Sequence, residues 1–141
     1  MLKFYEVKSI EEHASGINQM LKINDREIVT VSDDCTIKFW NALTLKVEHT
    51  QITETITCID ATGALKHLFV AGCHSGNFLI IKSKSIDKNM KKETIEGAHF
   101  NLIRVILSLS NLRDKFFLSA DVCGFIKVWY SDMEPKKLIE F

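Results

Sequence analysis

The chain has 141 residues, of which 46% are hydrophobic and 26% are charged, a composition that indicates one globular domain and argues against a disordered chain. Its 18 basic residues balance its 18 acidic ones, so the net charge does not favour nucleic acid or an anionic membrane as a partner. The four cysteines are spread along the chain and form no C-x-x-C pair. This usage predicts free thiols in a reducing intracellular compartment, and we expect the cytoplasm.

Short β-like runs separated by turn residues fill the chain from residue 26 onward. They are rich in Ile, Val, Phe and Thr, and Gly, Asp, Asn and Ser stand between them, which predicts strands joined by short turns. In chain order the runs are REIVTVS (26–32), CTIKFW (35–40), TITCIDA (55–61), HLFVAG (67–72), NFLIIK (77–82), IRVILSL (103–109), KFFLSA (115–120) and FIKVWY (125–130). The segment 101–112 fits a helix on its apolar pattern alone, but its neighbours favour a strand and a turn. Apolar runs such as FLII (78–81) are too short to span a bilayer, so we expect no membrane partner.

Three stretches align as copies of one unit. IVTVSDDCTIKFW ends at Trp40, LFVAGCHSGNFLII ends at Ile81, and FLSADVCGFIKVW ends at Trp129. Trp40 and Ile81 are 41 residues apart, and Ile81 and Trp129 are 48 residues apart. Periods in the forties with about four strands in each unit indicate the blades of a β-propeller.

A histidine precedes each tryptophan at a similar distance. His13 lies 27 residues before Trp40, and His99 lies 30 residues before Trp129, whereas Ile52 occupies the matching place in the middle copy. With the turns in TVSDDCTIKFWN and LSADVCGFIKVWY, this pattern resembles the WD-repeat family of β-propellers over roughly residues 13–141.

The copies also depart from the family pattern. Neither tryptophan is followed by aspartate, since Asn41 and Tyr130 stand there. The turn glycine is Cys35 in the first copy, the turn aspartate is Cys123 in the third, and Ser75 replaces that aspartate in the middle copy.

The resemblance implies an all-β fold: a single domain forming a partial β-propeller of about three four-stranded antiparallel blades. We expect blade 1 over residues 10–50, blade 2 over 51–97 and blade 3 over 98–141, with residues 1–9 as an outer strand of a preceding or closing blade. Three blades do not close a propeller, and exposed strand edges invite pairing with another chain. A fragment of a longer propeller is the favoured explanation, ahead of a homodimer that closes six blades and an open arc completed by a partner.

In the WD-repeat family, a histidine, a strand hydroxyl, the turn aspartate and the tryptophan indole form a buried hydrogen-bond network. The resemblance therefore implies a structural network in the first copy formed by His13, Thr30, Asp34 and Trp40, with Ser32 as the alternative hydroxyl. In the third copy the matching residues are His99, Ser119 and Trp129. No carboxylate stands at the turn position of that copy, which predicts that its network is the looser of the two.

The family binds partners mostly on the narrow face around the central channel. Its usual contact positions lie three and five residues after the histidine and just before the turn aspartate. The candidate partner-binding residues implied here are Asn18, Asp33, Thr55, Thr57, His74, Leu102, Arg104 and Val122, with Gly16 beside them. Mixed polar and apolar anchors of this kind suit a protein or peptide surface.

Residue spacing argues against a catalytic or metal site. The sequence GCHSG (72–76) resembles a G-x-S-x-G nucleophile elbow, but His74 stands where the serine is needed. Asp33 and Asp34 are adjacent, so their side chains should diverge rather than act together on a sugar. Cys73, His74 and His67 lack the paired spacing of zinc ligands. We therefore expect no catalytic residue, no metal and no cofactor.

These features predict a non-catalytic protein–protein interaction scaffold, part of a larger propeller or complex, that could also self-associate through its open edges. One alternative is a module that recognises substrates or modified peptides, for example in a ubiquitin ligase, which would need a charged or aromatic cage on the narrow face. Another is a weak nucleic-acid binder acting through the lysine-rich stretch Lys82–Lys92. No aromatic residue interleaves that stretch, so a solvated loop is the better interpretation.

Overall fold

The computed structural model describes residues 1–61, 68–82, 91–109, 116–131 and 138–140, with side chains up to Tyr130. The described residues form twelve β-strands and no helix. The strands are β1 (Ile17–Lys22), β2 (Glu27–Ser32), β3 (Thr36–Asn41), β4 (Lys46–Ile52), β5 (Ile56–Ala61), β6 (Leu68–Cys73), β7 (Phe78–Lys82), β8 (Lys91–Ile95), β9 (Ile103–Ser108), β10 (Phe116–Asp121), β11 (Ile126–Ser131) and β12 (Leu138–Glu140).

Each set of four consecutive strands forms one antiparallel sheet. The spatial order within the sheets is β1-β2-β3-β4, β5-β6-β7-β8 and β9-β10-β11-β12, so every strand pairs with its neighbour in sequence. We call these sheets the first, second and third blade. The predictions of an all-β fold and of partial propeller blades are confirmed.

Side-chain alternation along each strand gives a blade two packed faces. In β2, Val29 and Val31 point toward the second blade and are fully buried, whereas Thr30 points to the opposite face. Val29 pairs with Phe39 across the sheet, and Val31 pairs with Ile37, so β3 adds its apolar residues to the same face. Apolar residues on one face of β2 and β3 therefore build the layer that packs on the next blade.

A left-handed residue recurs in the turn that follows the second strand of every blade. Gly76 and Gly124 have φ values of 87° and 89°, and Cys35 takes the same position in the first blade with φ of 62°. A Cβ atom added at Gly76 would overlap the carbonyl oxygen of His99, so that turn needs glycine for space as well as for conformation. The turn keeps its shape in the first blade even though a cysteine has replaced the glycine.

Two apolar clusters lie between the blades. The cluster between the first and second blades contains Val29, Val31, Ile37, Ile56, Ile59, Phe69, Ala71, Cys73, Leu79 and Ile81. The cluster between the second and third blades contains Cys58, Val70, Phe78, Ala98, Ile103, Ile106, Phe117 and Trp129. Phe78 lies edge-on to Phe117 and Trp129, with ring centroids 5.5 and 4.9 Å away. The core of the molecule is thus a pair of layers between neighbouring blades.

Polar side chains tie each blade to the next across these layers. The amide of Ile59 donates to Gln19 Oε1 at 2.8 Å, and the amide of Ser108 donates to Asp60 Oδ2 at 2.7 Å. In each case a side chain of the earlier blade satisfies a main-chain donor of the later one. These bonds fix the relative height of neighbouring blades as well as their contact.

The arc formed by the three blades is open. The innermost strand of the second blade, β5, contacts both β1 and β9. Residues 1–9 form no strand, and their large apolar side chains are exposed. An outer strand would pair with a further blade, which the described residues do not include, so the role expected for residues 1–9 stays a prediction.

Candidate functional site

The structure brings the four side chains predicted for the first network into one hydrogen-bonded chain. Trp40 Nε1 donates to Thr30 Oγ1 at 2.8 Å, and Thr30 Oγ1 lies 2.7 Å from His13 Nε2. His13 Nδ1 lies 2.8 Å from Asp34 Oδ2. An indole N–H only donates and an ionised carboxylate only accepts. The donors therefore run in one direction, from Trp40 through Thr30 and His13 to Asp34.

Asp34 also organises the turn that holds it. Its Oδ1 atom accepts the amide of Thr36 at 2.9 Å and the Thr36 hydroxyl at 2.6 Å, and its Oδ2 atom accepts the amide of Ala14 at 3.0 Å. Burial alone would raise the pKa of Asp34, but the hydrogen bonds from Thr36 and His13 outweigh it and hold that pKa well below its ordinary value. Ser32, the alternative hydroxyl, accepts the amide of Asp34 instead and takes no part in the chain.

The third blade contains the same chain of hydrogen bonds, including a carboxylate that the sequence comparison missed. Trp129 Nε1 donates to Ser119 Oγ at 2.8 Å, and Ser119 Oγ lies 2.6 Å from His99 Nε2. His99 Nδ1 lies 2.9 Å from Asp121 Oδ2. The prediction that this copy lacks a carboxylate is wrong, because Asp121, at the end of β10, replaces the turn residue Cys123.

The third network is also the more buried of the two. The side chains of His99 and Asp121 are 0% and 2% exposed, compared with 2% and 9% for His13 and Asp34. Burial opposes ionisation of Asp121, but hydrogen bonds from His99 and from the amides of Phe125 and Cys123 hold its pKa below the ordinary value. The expectation of a looser network in the third blade is therefore wrong.

A signal for Asp121 was present in the sequence. Ser119 and Asp121 are two residues apart on one strand, so strand alternation places both side chains on the same face. A comparison by turn position alone compares Asp34 with Cys123 and passes over it. In the first blade, Ser32 occupies the strand position that Asp121 fills in the third.

The second blade lacks the network, because apolar residues replace its histidine, hydroxyl and tryptophan and Ser75 replaces its aspartate. Ala71 stands at the position of the hydroxyl and Ile81 at that of the tryptophan, and both are fully buried. Ile52, at the histidine position, is exposed. Because the histidine, the hydroxyl and the tryptophan are replaced together, none of them is left as a buried donor or acceptor without a partner. This explains how the second blade tolerates the loss of the network.

Six of the eight residues predicted for the partner-binding face line one pocket of about 540 Å³. It lies where the innermost strands β1, β5 and β9 begin, next to the turns after β2 and β6. The six are Asn18, Asp33, Thr57, His74, Leu102 and Arg104, and the lining residues that the sequence comparison missed are Gln19, Cys58, Val105 and Ile106. The missed residues follow the predicted positions along β1, β5 and β9, so counting further along those strands would have found them.

One main-chain hydrogen bond recurs in every blade and fixes these positions. The residue that follows the second strand donates its amide to the carbonyl of the residue directly before the innermost strand. The pairs are Asp33 to Gly16 (3.0 Å), His74 to Thr55 (3.0 Å) and Val122 to Leu102 (3.1 Å). The repeat geometry therefore sets the spacing of the predicted contact residues, whatever their side chains are.

The pocket wall combines hydrogen-bonded polar side chains with Arg104, which has no ionic partner among the described residues. Asn18 Nδ2 donates to Asp33 Oδ1 at 2.8 Å and to the carbonyl of Ile56 at 2.9 Å, which holds both side chains in place. The Thr57 hydroxyl contacts the carbonyl of Gly72 at 3.0 Å. Arg104 is exposed and forms no ion pair or side-chain hydrogen bond with any described residue. Its guanidinium is therefore available to an incoming acidic group.

The two remaining predicted residues lie outside the pocket lining. The Thr55 hydroxyl is 3.4 Å from Cys35 Sγ, at the boundary of the first and second blades. Val122 is half exposed in the turn after β10 and bonds through its amide to Leu102.

The residues weighed for catalysis are not arranged as an active site. Asp33 bonds to Asn18, whereas Asp34 bonds to His13, so the two carboxylates serve different partners. Burial, with a smaller contribution from Glu54, raises the pKa of the Cys73 thiol, which favours the unreactive protonated form.

The remaining alternatives fall partly outside the described ranges. Within those ranges, no three histidine, cysteine or acidic side chains lie together as metal ligands would. His67 and residues 83–90 of the lysine-rich stretch lie outside the described residues. No helix in the described part of the chain has the length and hydropathy needed to cross a membrane.

The sequence model of the family described as WD domain, G-beta repeat matches residues 4–41. This stretch is similar to a WD40 repeat. It contains the first network and the turn at Cys35, so the resemblance to the WD-repeat family is confirmed on this stretch. WD40 repeats generally act as non-catalytic scaffolds for protein–protein interactions. No curated protein matches the chain.

Proposed function

We propose that the chain is a non-catalytic protein–protein interaction scaffold and that its pocket on the innermost strands is the partner-binding site. The observation that carries the proposal is the convergence of residues from all three blades on that pocket. A site formed by three blades suits a partner that extends across the narrow face better than a small substrate held by one loop.

The pocket chemistry supports a partner with both polar and apolar contacts. Leu102, Val105 and Ile106 offer apolar surface, and Asn18 and Arg104 offer donors beside it. Interfaces of this mixed type draw most of their affinity from a few central anchors, and arginine is frequent among them. We expect Arg104 to be such an anchor.

Exchange of the pocket residues tests the proposal. The triple variant Asn18→Ala, His74→Ala and Arg104→Ala should lose partners that the unmodified chain recovers from cell extract, as measured by quantitative mass spectrometry. All three side chains are exposed, so the fold should survive the exchange. Arg26→Ala is the matched control because Arg26 is an exposed arginine at the opposite end of the first blade, in the β1–β2 turn. Identical recovery by the triple variant and the control would contradict the proposal.

Recognition of an acidic or modified peptide is the second candidate, favoured by the free guanidinium of Arg104. A phosphorylated or carboxylate side chain would pair with it in a bidentate contact. Binding of a phosphopeptide library should then weaken with rising salt and with Arg104→Lys, which keeps the charge but loses the planar fork. Equal binding of phosphorylated and unphosphorylated peptides would rule this candidate out.

We also propose that the chain belongs to a larger propeller or complex. The support is the open arc of three blades, since a closed propeller typically has four or more. Sedimentation of the purified chain tests this without any variant. A monomer at every concentration would count against self-association and leave completion to another protein.

A further inference from the structure

The third blade ends the arc with a face made entirely of apolar and aromatic side chains. We call this the forward face, and its residues are Val105, Leu107, Leu118, Ala120, Ile126 and Val128. The rings of Phe116 and Tyr130, on the same side of the sheet, contact each other. Cross-strand register places them on one side of the sheet, with Leu118 opposite Val128 and Leu107. Ile126 is 71% exposed and Leu107 is 50% exposed. These two side chains are therefore open to solvent.

The matching residues of the earlier blades show what such a face does. Ile37 and Phe78 occupy the position of Ile126 in the first and second blades, and both are fully buried against the following blade. Val29 and Val70 occupy the position of Leu118 and are also buried. The third blade therefore presents the surface that twice within this chain receives a neighbouring blade.

The first blade presents the complementary half of that interface. We call it the rear face, and cross-strand register places Met20, Lys22, Ile28, Lys38 and Trp40 on it. Met20 is 62% exposed, whereas Ile59 and Ile106, in the same position of later blades, are 0% and 5% exposed. Ile28 is half buried, whereas Phe69 and Phe117, which match it, are buried.

Two lysines, Lys22 and Lys38, lie on the rear face. Lys22 forms an exposed ion pair with Asp25 at 2.7 Å, where β1 ends. Lys38 occupies the position of Lys127 in the third blade. Lys127 already lies at a blade boundary, where its Nζ atom donates to the carbonyl of Ala98 at 2.8 Å and stands 5.8 Å from the centre of the Trp129 ring. A lysine in this position is thus compatible with a closed blade interface.

We propose that the forward face of one copy docks on the rear face of a second copy, and that two such contacts close a ring of six blades. The inference rests on the proposed scaffold function and names the second copy as the missing half of the larger propeller. Both faces belong to one chain and match the two halves of interfaces already formed inside it. The contact is heterologous, and two copies that each use both faces close on themselves.

Light scattering coupled to size-exclusion chromatography tests the proposal on the unmodified chain. Reducing buffer is required because Cys123 is exposed and could form an intermolecular disulfide. The expected mass is twice the 16.1 kDa of one chain. A monomer throughout a concentration series would overturn the proposal, and so would open-ended oligomers, because they would mean that the ring does not close.

Two charge substitutions distinguish the two faces. Ile126→Glu blocks the forward face and Met20→Glu blocks the rear face, and each alone should convert the dimer to a monomer. Mixing the two variants should give a 1:1 dimer held by one intact contact, between the forward face of the Met20→Glu copy and the rear face of the Ile126→Glu copy. This dimer should be weaker than the unmodified one, because both substitutions meet in the other contact. Leu43→Glu, in the exposed turn after β3, is the control and should remain dimeric.

The variants also separate this proposal from the pocket proposal. If only one of the two substitutions had an effect, the contact would join like faces and the head-to-tail arrangement would be wrong. Thermal unfolding of each variant should match that of the unmodified chain held at a concentration where it is monomeric. If Ile126→Glu or Met20→Glu abolishes the dimer but partner recovery is unchanged, partner binding does not depend on the ring. The triple variant Asn18→Ala, His74→Ala and Arg104→Ala leaves both faces intact, so it should remain dimeric even if it loses its partners.

Discussion

Thr30 and Ser119 stand at the centre of their networks because a hydroxyl accepts and donates through a single oxygen atom. Each accepts an indole N–H and each donates to an imidazole nitrogen, which leaves the other imidazole nitrogen to donate to aspartate. The polar side-chain groups of each network are thereby hydrogen-bonded although Thr30 and Ser119 are almost fully buried. The second blade shows that the histidine, the hydroxyl and the tryptophan can be replaced together with apolar residues, but loss of a single member leaves its neighbours without a partner.

Removal of the Thr30 hydroxyl should therefore destabilise the fold. Thr30→Val keeps the shape and the branched Cβ but strands the Trp40 indole N–H and the His13 imidazole, at a cost on the order of 1–3 kcal/mol. Urea unfolding measures the free energy of unfolding. Thr50→Val on the exposed face of β4 is the matched control and should change it by less than about 0.5 kcal/mol. Equal unfolding midpoints for the two variants would show that the network does not stabilise the blade.

Acid should weaken the fold through the same two networks. Asp34 and Asp121 have pKa values below the ordinary value of 3.8 in the folded state, so the unfolded chain takes up their protons at a higher pH. Their contribution to stability is present above that pH and is lost as the pH falls below it. The unfolding temperature should drop more steeply below pH 4 in the unmodified chain than in the double variant Asp34→Asn and Asp121→Asn. The same acid slope in both proteins would contradict this assignment.

At the scale of the element, the left-handed turn is the constant part of the blade. The three blades share it although their turn residues are Cys35, Gly76 and Gly124. Left-handed backbone costs a residue with a Cβ atom roughly 1–2 kcal/mol, and glycine avoids that cost. The first blade therefore contains local strain that its sequence could relieve.

Replacement of the turn cysteine should stabilise the protein. Cys35→Gly removes the Cβ atom from a residue with φ of 62°, and we expect a gain of about 1 kcal/mol in the free energy of unfolding. Gly124→Ala provides the reverse test, because open space surrounds a Cβ atom there and only the backbone cost is measured. A loss of stability in Cys35→Gly would mean that the thiol contacts with Thr55 outweigh the strain.

The repeat made the strands and the first network predictable from sequence. Residue composition and turn residues identified the strands, and the resemblance to the WD-repeat family implied the four residues, from His13 to Trp40, that converge in space. Asp121 was missed because the hydrogen bond depends only on the position of the carboxylate in space. A carboxylate at the end of the strand contacts the histidine as well as one in the turn does. Alignment of the copies compares residues at matching positions only. It therefore misses a carboxylate that reaches the same histidine from a different backbone position.

At the scale of the whole molecule, the pocket arises from the way the blades are placed side by side. Sequence positions gave the contact residues of each blade, but the convergence of Asn18, His74 and Arg104 depends on how the second blade packs between its neighbours. That packing is set by close apolar contacts and by Gly72, where a Cβ atom would lie 2.6 Å from Ile103 Cγ2. These distances follow from three-dimensional packing, which the repeat pattern does not specify.

The whole-molecule account also explains why the ends of the arc differ from its middle. The second blade is covered on both faces and contributes no buried polar network, whereas the first and third blades each contain one and leave one face open. The third blade has its network on the covered side, which accounts for the deeper burial of His99 and Asp121. Position in the arc, rather than agreement with the repeat pattern, therefore decides how well a network is shielded.

Site-specific photocrosslinking tests the central claim, that the pocket on the innermost strands is a protein-interaction site, most directly. A benzophenone amino acid would replace His74 in the pocket and, as a matched control, Leu43 in an exposed turn away from it. The account predicts covalent partner adducts at position 74 that are absent at position 43 and that disappear when Arg104→Ala is added. The same adducts at both positions, or adducts at position 74 that persist with Arg104→Ala, would contradict it.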